Sequence, residues 1–433
     1  MKLAKLSLVA IVVAGLASNA FAADNLADAF KKGTVTSELR AWYFDRDNGT
    51  TANESIFNTG VMLNYITDPL YGFRLGVTAQ SNYSPFASAN EKALYQNDMY
   101  GSGAILSEAY LGYAIGKTDI KIGRQFITTP LLAGSGSRMI KESFEGATII
   151  NTDIPATTLV AGYVNKFEAR TSTFAAATDV GSVGDFTKTF ALSVGKGGAI
   201  TKAYIDDAYT MMVTNKSINN LTLTAQYAGA EDVAHLGNVN LYHAEANYVL
   251  PMNGFKLGFD AMYRASSTDS ALDDKLLEGS YLGGRIGIYE LAGFGISFAA
   301  SKSDKSDDLI AGIGNGPDST YTGTILTAVQ SYARNTTSYE GKVSYDFAKL
   351  GLVGLTSYVL YAHDDQGYTS GVAQTSGDWD NIAFDITYAL SGPLKGLTLS
   401  LQYEKDDNDK LNAAGVNTNV KSDEYRFRAN YKF

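Results

Sequence analysis

The chain has 433 residues, no cysteine, 3 histidines and a formal net charge of −10. That balance excludes a disulfide framework and thiol chemistry, and it disfavours nucleic acid, which wants a basic face. The 28 Tyr, 20 Phe and 43 Gly set against 7 Pro point instead to β-strands with aromatic belts and tight turns.

Residues 1–22 carry Lys2 and Lys5, an apolar stretch from Leu6, and then Ala20-Phe21-Ala22. This is the pattern of a secretory signal peptide, with an apolar core too short to span a bilayer. Cleavage leaves residues 23–433 as one domain beyond the inner membrane. No later segment offers 18 uninterrupted apolar residues, so no membrane helix is expected. The next stretch, "ADNLADAFKKG", predicts one or two helical turns with Gly33 as the C-cap. A first strand near Thr34 then leaves no room for a plug domain.

From there the chain alternates with a period of two. Phe73, Leu75 and Val77 share one face and Arg74, Gly76 and Thr78 the other. Phe255, Leu257, Phe259 and Tyr263 oppose Lys256, Asp260 and Arg264, and Ile382, Phe384 and Ile386 oppose Asn381 and Asp385. Segments of about ten residues with one apolar and one polar face are the length a tilted strand needs to cross a bilayer. Eight short turns alternate with nine long loops (near 45–56, 81–104, 128–144, 168–207, 230–240, 265–279, 302–338, 364–379 and 406–422), which gives 18 strands. The predicted fold is all-β: a transmembrane antiparallel barrel with short periplasmic turns and long extracellular loops. A soluble sandwich is the rival, but it does not need nine long loops on one side. Segments 157–167 and 351–363 are apolar on both faces, and 168–207 has room for a further strand pair.

The last strand, "DEYRFRANYKF", puts Tyr425, Phe427, Tyr431 and Phe433 on one face and Glu424, Arg426, Arg428 and Lys432 on the other. A basic residue on the lipid face costs roughly 2–4 kcal/mol at the midplane, so the arginines should point inward. The first strand puts Glu38, Arg40 and Trp42 inward by the same test, and barrel closure makes it the neighbour of the last. Arg40, Arg426 and Arg428 are therefore expected to form one basic patch near mid-height, with Arg74, Arg264 and Arg285 also pore-lining. Glu108, Asp260, Asp385 and Glu424 are the inward acids. Guanidinium groups in a narrow aqueous passage favour carboxylates through bidentate bonds, although such charges can also simply pair with one another.

The loop from Gly123, "GRQFITTPLLAGSGSRMIKESFEG", is too apolar at Ile127, Leu131, Leu132, Met139 and Ile140 for one standing in water. It is expected to fold into the barrel as the third loop, bringing Arg138, Lys141 and Glu142 to a constriction. Arg124 breaks parity, because Ile120 and Ile122 claim its face for lipid; either a bulge at Gly123 turns it inward, which is the favoured reading, or this strand sits at a subunit interface.

"AFKKGTVTSELRAWYFDRD", "SEAYLGYAIGKTDIKIGRQFITTP", "GSRMIKESFEG" and the terminal "YRFRANYKF" resemble the OprD family of outer-membrane porins. The resemblance implies an 18-stranded barrel, a third loop lining a constriction, an arginine ladder, and uptake of small hydrophilic solutes, often carboxylates or amino acids. Carried over by position, Arg124 and Arg138 become constriction residues, Arg40, Arg426 and Arg428 ladder residues, and Phe433 the terminal signal read by the barrel-assembly machinery. The 302–338 loop is not clearly family-like and is either pore-restricting or exposed. The implied location is the outer membrane of a Gram-negative bacterium, among lipid and lipopolysaccharide, with a homotrimer left open.

An enzyme would need a Ser/His or Asp/His group, and His235, His243 and His363 belong to no nucleophile motif. No cofactor or metal is expected, since acidic runs such as "DRDNG" and "KDDND" read as solvated loops. The remaining alternatives are a non-selective porin and a structural or adhesive barrel.

Overall fold

The computed structural model describes residues 23–49, 53–175, 180–195, 199–317, 320–324, 330–367, 377–411 and 417–433. The expected signal peptide lies outside them. A one-turn helix, α1 (Leu26–Lys31), opens the described chain, its N-cap Asn25 accepting from the Asp28 amide. Lys32, not Gly33, is the C-cap. A Cβ at Gly33 would meet the tip of the Tyr65 ring, which would have to move aside.

Eighteen antiparallel strands then follow: β1 (Thr34–Asp47), β2 (Glu54–Ile66), β3 (Phe73–Asn82), β4 (Gly103–Ile115), β5 (Thr118–Gln125), β6 (Ser143–Asn151), β7 (Thr157–Glu168), β8 (Ala208–Asn215), β9 (Leu221–Val233), β10 (Gly237–Met252), β11 (Phe255–Thr268), β12 (Ser280–Leu291), β13 (Phe294–Ser303), β14 (Thr336–Asp346), β15 (Leu355–Gln366), β16 (Gly377–Ala389), β17 (Leu397–Leu411) and β18 (Asn417–Lys432). Each pairs with the next, and β1 pairs with β18 from Glu38↔Lys432 to Asp47↔Asp423, which closes the barrel. Closure leaves no unpaired edge, the condition for a sheet to stand in lipid. Among the described residues no helix is long and apolar enough to cross a membrane.

The period-two pattern sets which side chains face out. Leu39, Tyr43, Leu75, Phe259, Tyr263, Ile382 and Phe427 are exposed on the outer surface. Aromatic pairs mark both ends of this apolar band. Phe73–Tyr113 and Phe294–Tyr345, 4.5 and 4.6 Å between ring centroids, lie near the short turns, and Tyr403–Tyr425, at 4.4 Å, lies near the loop end. Such girdles sit at membrane interfaces.

Several sequence expectations change. The 230–240 connection is tight, since β9 runs to Val233 and β10 resumes at Gly237 after a register shift. The 406–422 stretch is mostly strand, β17 and β18 pairing out to Leu411↔Asn417, so "KDDND" rides on an extended hairpin. In 351–363, β15 starts only at Leu355; Leu352 and Val353 belong to the preceding turn and are exposed.

The twice-apolar β7 has a different cause. Leu159 and Tyr163 face out, while Val164 and Phe167 meet a second hydrophobic core inside the barrel. In 169–207, Thr189–Val194 and Lys202–Tyr204 form a hairpin that leaves the wall. Ile310–Ile313, from the connection between β13 and β14, pairs with its first strand. Leu132 of the third loop bridges to Ile313. The rings of Phe144, Phe167 and Phe190 pack at 5.2–6.3 Å, with Leu131, Leu192, Val194 and Ile310 around them. Loops from three connections thus fill the side of the interior bounded by β6 to β11. A smaller apolar cluster around Tyr281, Tyr321 and Tyr332 continues along β11 to β13, and the charged groups gather at the β1–β18 seam around Trp42 and Phe44.

Candidate functional site

The charged side is built on the seam where the barrel closes. Register places Trp42 opposite Arg428, Phe44 opposite Arg426 and Arg46 opposite Glu424. All six side chains point inward, because the alternating Tyr43, Tyr425 and Phe427 take the lipid face. Trp42 and Phe44 stack with 5° between their planes. The Arg428 guanidinium lies 4.7 Å from the Trp42 ring centroid, Arg426 5.3 Å from Phe44, and Arg138 of the third loop 5.5 Å from Phe44. Stacking on ring faces stabilises the cations and holds their planes fixed.

Carboxylates brace the cluster. Glu424 pairs with Arg426 and, at 2.5 Å, with Arg46. Asp98 Oδ2 accepts from Arg46 Nη2 at 2.8 Å and from Arg138 Nε at 3.0 Å. Asp98 follows a short helix, α2 (Ala89–Tyr95), whose start is closed by a capping box between Ser88 and Glu91. Burial alone would raise the Asp98 carboxyl, but Arg138 and Arg46 outweigh it and hold it below the usual carboxylate range. Arg40 Nε pairs with Glu38 at 3.0 Å, and its Nη1 donates to the Met139 carbonyl at 2.7 Å.

Arg428 is the exception. Its Nη2 donates to the Ser137 carbonyl at 3.1 Å, and its Nε has no partner among the described residues. Five guanidiniums (Arg40, Arg46, Arg138, Arg426 and Arg428) thus meet three carboxylates (Glu38, Asp98 and Glu424). Asp385, on β16, lies in the same cross-strand row as Arg426, with Gln402 between them.

The other sequence-derived candidates are placed as follows. Arg74 pairs with Asp119 at 2.6 Å near the short-turn end. Arg285 pairs with Asp260 at 2.6 Å. Asp385 accepts from Gln402 at 2.9 Å. Glu108 accepts from Thr78 at 2.6 Å and from the Phe126 amide at 3.2 Å, tethering the start of the third loop. Lys141 Nζ sits 4.1 Å from the Phe126 ring centroid, and its backbone exchanges hydrogen bonds with Gln80.

Three candidates do not line the passage. Arg264 points inward but is sealed by the β13–β14 connection, donating to the Ala311 and Pro317 carbonyls at 3.1 and 2.8 Å. Glu142 is fully buried; it pairs with Arg170 at 3.0 Å and accepts from Asn315 at 2.6 Å, so it pins three loops together. Arg124 stays on the face of Ile120 and Ile122, because pairing runs through Gly123 with no register shift. The bulge lies in β4, where Thr78 pairs with Glu108 and Ala79 with Leu106.

Sequence reading missed Arg46 and Asp98. Arg46 shares parity with Arg40 but falls in a stretch assigned to a loop. Asp98 carries no periodic signal at all. Phe433 stitches the seam, exchanging backbone bonds with Ser37 at 2.9 and 3.0 Å.

The family described as outer membrane porin, OprD family, matches residues 28–433. Porin D of Pseudomonas aeruginosa is 22% identical, over 93% of this chain and 94% of its own. Among solved structures, Acinetobacter baumannii OccAB3 superposes with a TM-score of 0.78 at 17% identity, covering 93% of this chain and 99% of that one. Pseudomonas aeruginosa OpdK, solved with vanillate, gives 0.73 at 15% identity, covering 93% and 99%.

Proposed function

Since the chain belongs to the OprD family of outer membrane porins, which are channels and not enzymes, we propose that it passes small hydrophilic anions, carboxylates above all, along the guanidinium wall at the β1–β18 seam. The family places it in the outer membrane, as a channel for small-molecule uptake. The observation that carries the anion reading is the excess of five guanidiniums over three carboxylates, with Arg428 paired to no carboxylate among the described residues. Guanidiniums placed over aromatic rings offer paired N–H donors at the spacing of a carboxylate. Their field also concentrates anions before they dock. Vanillate, the ligand of OpdK, is a carboxylate. Asp260 is paired with Arg285, and Asp385 stands two strands from Arg426 in the same cross-strand row, so the acids temper the basic wall instead of facing it. In the same reading residues 1–22 are removed on export, and Phe433 is the strand end that assembly machinery grips.

The test is the reversal potential of the purified channel in a planar bilayer under a salt gradient. Anion preference is the expected result. A potential of zero or of cationic sign would favour the non-selective reading, and the absence of single-channel current would favour a structural barrel.

A further inference from the structure

The outer surface carries a cross-strand row that channel function does not use. Lys166, Glu145 and Arg124 stand side by side on β7, β6 and β5, directly above the row Tyr163, Ala147 and Ile122. Two residues along tilted strands place the charged row ~5 Å nearer the loop end than that apolar row. A bulge at Asn165, between the pairs Glu145↔Lys166 and Gly146↔Val164, is what brings Lys166 onto this face. Bulges re-aim side chains in this way. Lys166 Nζ and Arg124 Nε both reach Glu145, at 2.8 and 3.2 Å, so two cations share one carboxylate.

Both cations retain donors. Arg124 Nη1 reaches the Leu106 carbonyl only at 3.4 Å, and its Nη2 has no partner among the described residues. Phe186 stacks 4.2 Å from the guanidinium and fixes its plane. Arg124 and Lys166 keep 33% and 40% of their side-chain surface exposed. The nearby acids are engaged elsewhere: Asp206 pairs with Lys188, and Asp207 accepts from Tyr163. A net cationic pair facing lipid is costly at the midplane and cheap only near the interface, where anionic head groups can meet it.

We propose that Arg124 and Lys166 form a binding site for a phosphate group carried by an outer-leaflet glycolipid, with Glu145 holding the two cations at a spacing that brackets one phosphate. The guanidinium supplies a planar fork and the ammonium a point charge, the two ways proteins hold phosphate oxygens.

Native mass spectrometry of the full barrel with bisphosphorylated lipid A, a phosphate-free counterpart, and inorganic phosphate tests this. Retention of the bisphosphorylated lipid is expected, at least tenfold weaker in Lys166→Gln and weaker again in Lys166→Gln with Arg124→Gln. Lys166→Gln alone keeps the test valid if the double variant does not fold, which resistance to SDS at room temperature would report. Equal retention by parent and variant, or of the phosphate-free lipid, would overturn the proposal. So would binding of inorganic phosphate as tight as that of the lipid. Ion selectivity in the bilayer is a separate readout, so the anion-channel reading stands or falls independently.

Discussion

The two sides of the barrel interior are built on the same strand pattern yet end as different materials. Along β6 to β11 the inward positions meet Phe190, Leu192, Ile310 and Leu131 and become a dry core. Along the β18–β1 seam they meet Arg138 and Asp98 and stay charged. Alternation makes both sides inward; the loops that lie against them decide between packing and conduction. An inward Arg on the first side is a loop anchor, as Arg264 is, whereas Arg428 on the second pairs with no carboxylate among the described residues.

The contrast is broken most strongly by reversing the charged side. Arg426→Glu with Arg428→Glu should move the anion-to-cation permeability ratio by about tenfold or more towards cations, the scale on which like-signed clefts concentrate ions. Reversal potentials would show it, and an unmoved ratio would mean permeating ions do not sense this wall. Loosening the dry side is the next largest effect. Phe190→Ala removes a ring from the Phe144–Phe167–Phe190 stack and should cost ~3–5 kcal/mol of loop packing. The wall strands do not depend on it, so the barrel should still assemble but show a larger and noisier single-channel current. A current unchanged in size and noise would show that the core does not bound the passage.

A smaller change tests the brace between the loops. Asp98→Asn leaves Arg46 and Arg138 without their shared carboxylate and should weaken the brace by about 1–3 kcal/mol. Flicker should rise while anion preference holds or increases, because a negative charge has gone. Lost anion preference in a quiet channel would contradict this account of Asp98. The smallest effect concerns pH. The folded Asp98 carboxyl is held below its unfolded value of about 3.9, so its contribution is present in full above that pH and is lost only as pH falls through the lower folded value. Flicker should therefore be flat from about pH 8 to pH 4.5 and rise only in stronger acid; a rise near neutrality would mean that another group controls the loop.

Much of the barrel was legible because a period of two survives any tertiary context that puts lipid on one face. The strand number, the closure of β1 on β18 and the inward aim of Arg40, Arg426 and Arg428 all rest on that period. Arg124 misled because its charge argued for the interior while its parity argued for lipid. The parity held, since at the rim a charge is tolerated on the outer face. Arg264 and Glu142 misled for another reason: facing inward does not distinguish a wet interior from one filled by loops. Asp98 was invisible because it acts from an irregular loop, where spacing carries no directional information.

By itself, then, the chain determined an alternating, closed, lipid-facing wall and the basic seam within it, because local alternation and burial cost operate residue by residue. Only the tertiary structure decided which half of the interior is sealed and which arginine pairs with no carboxylate among the described residues. Those outcomes depend on contacts such as Leu132 with Ile313 and Arg138 with Asp98, between segments far apart in sequence, where no short-range pattern constrains the partner.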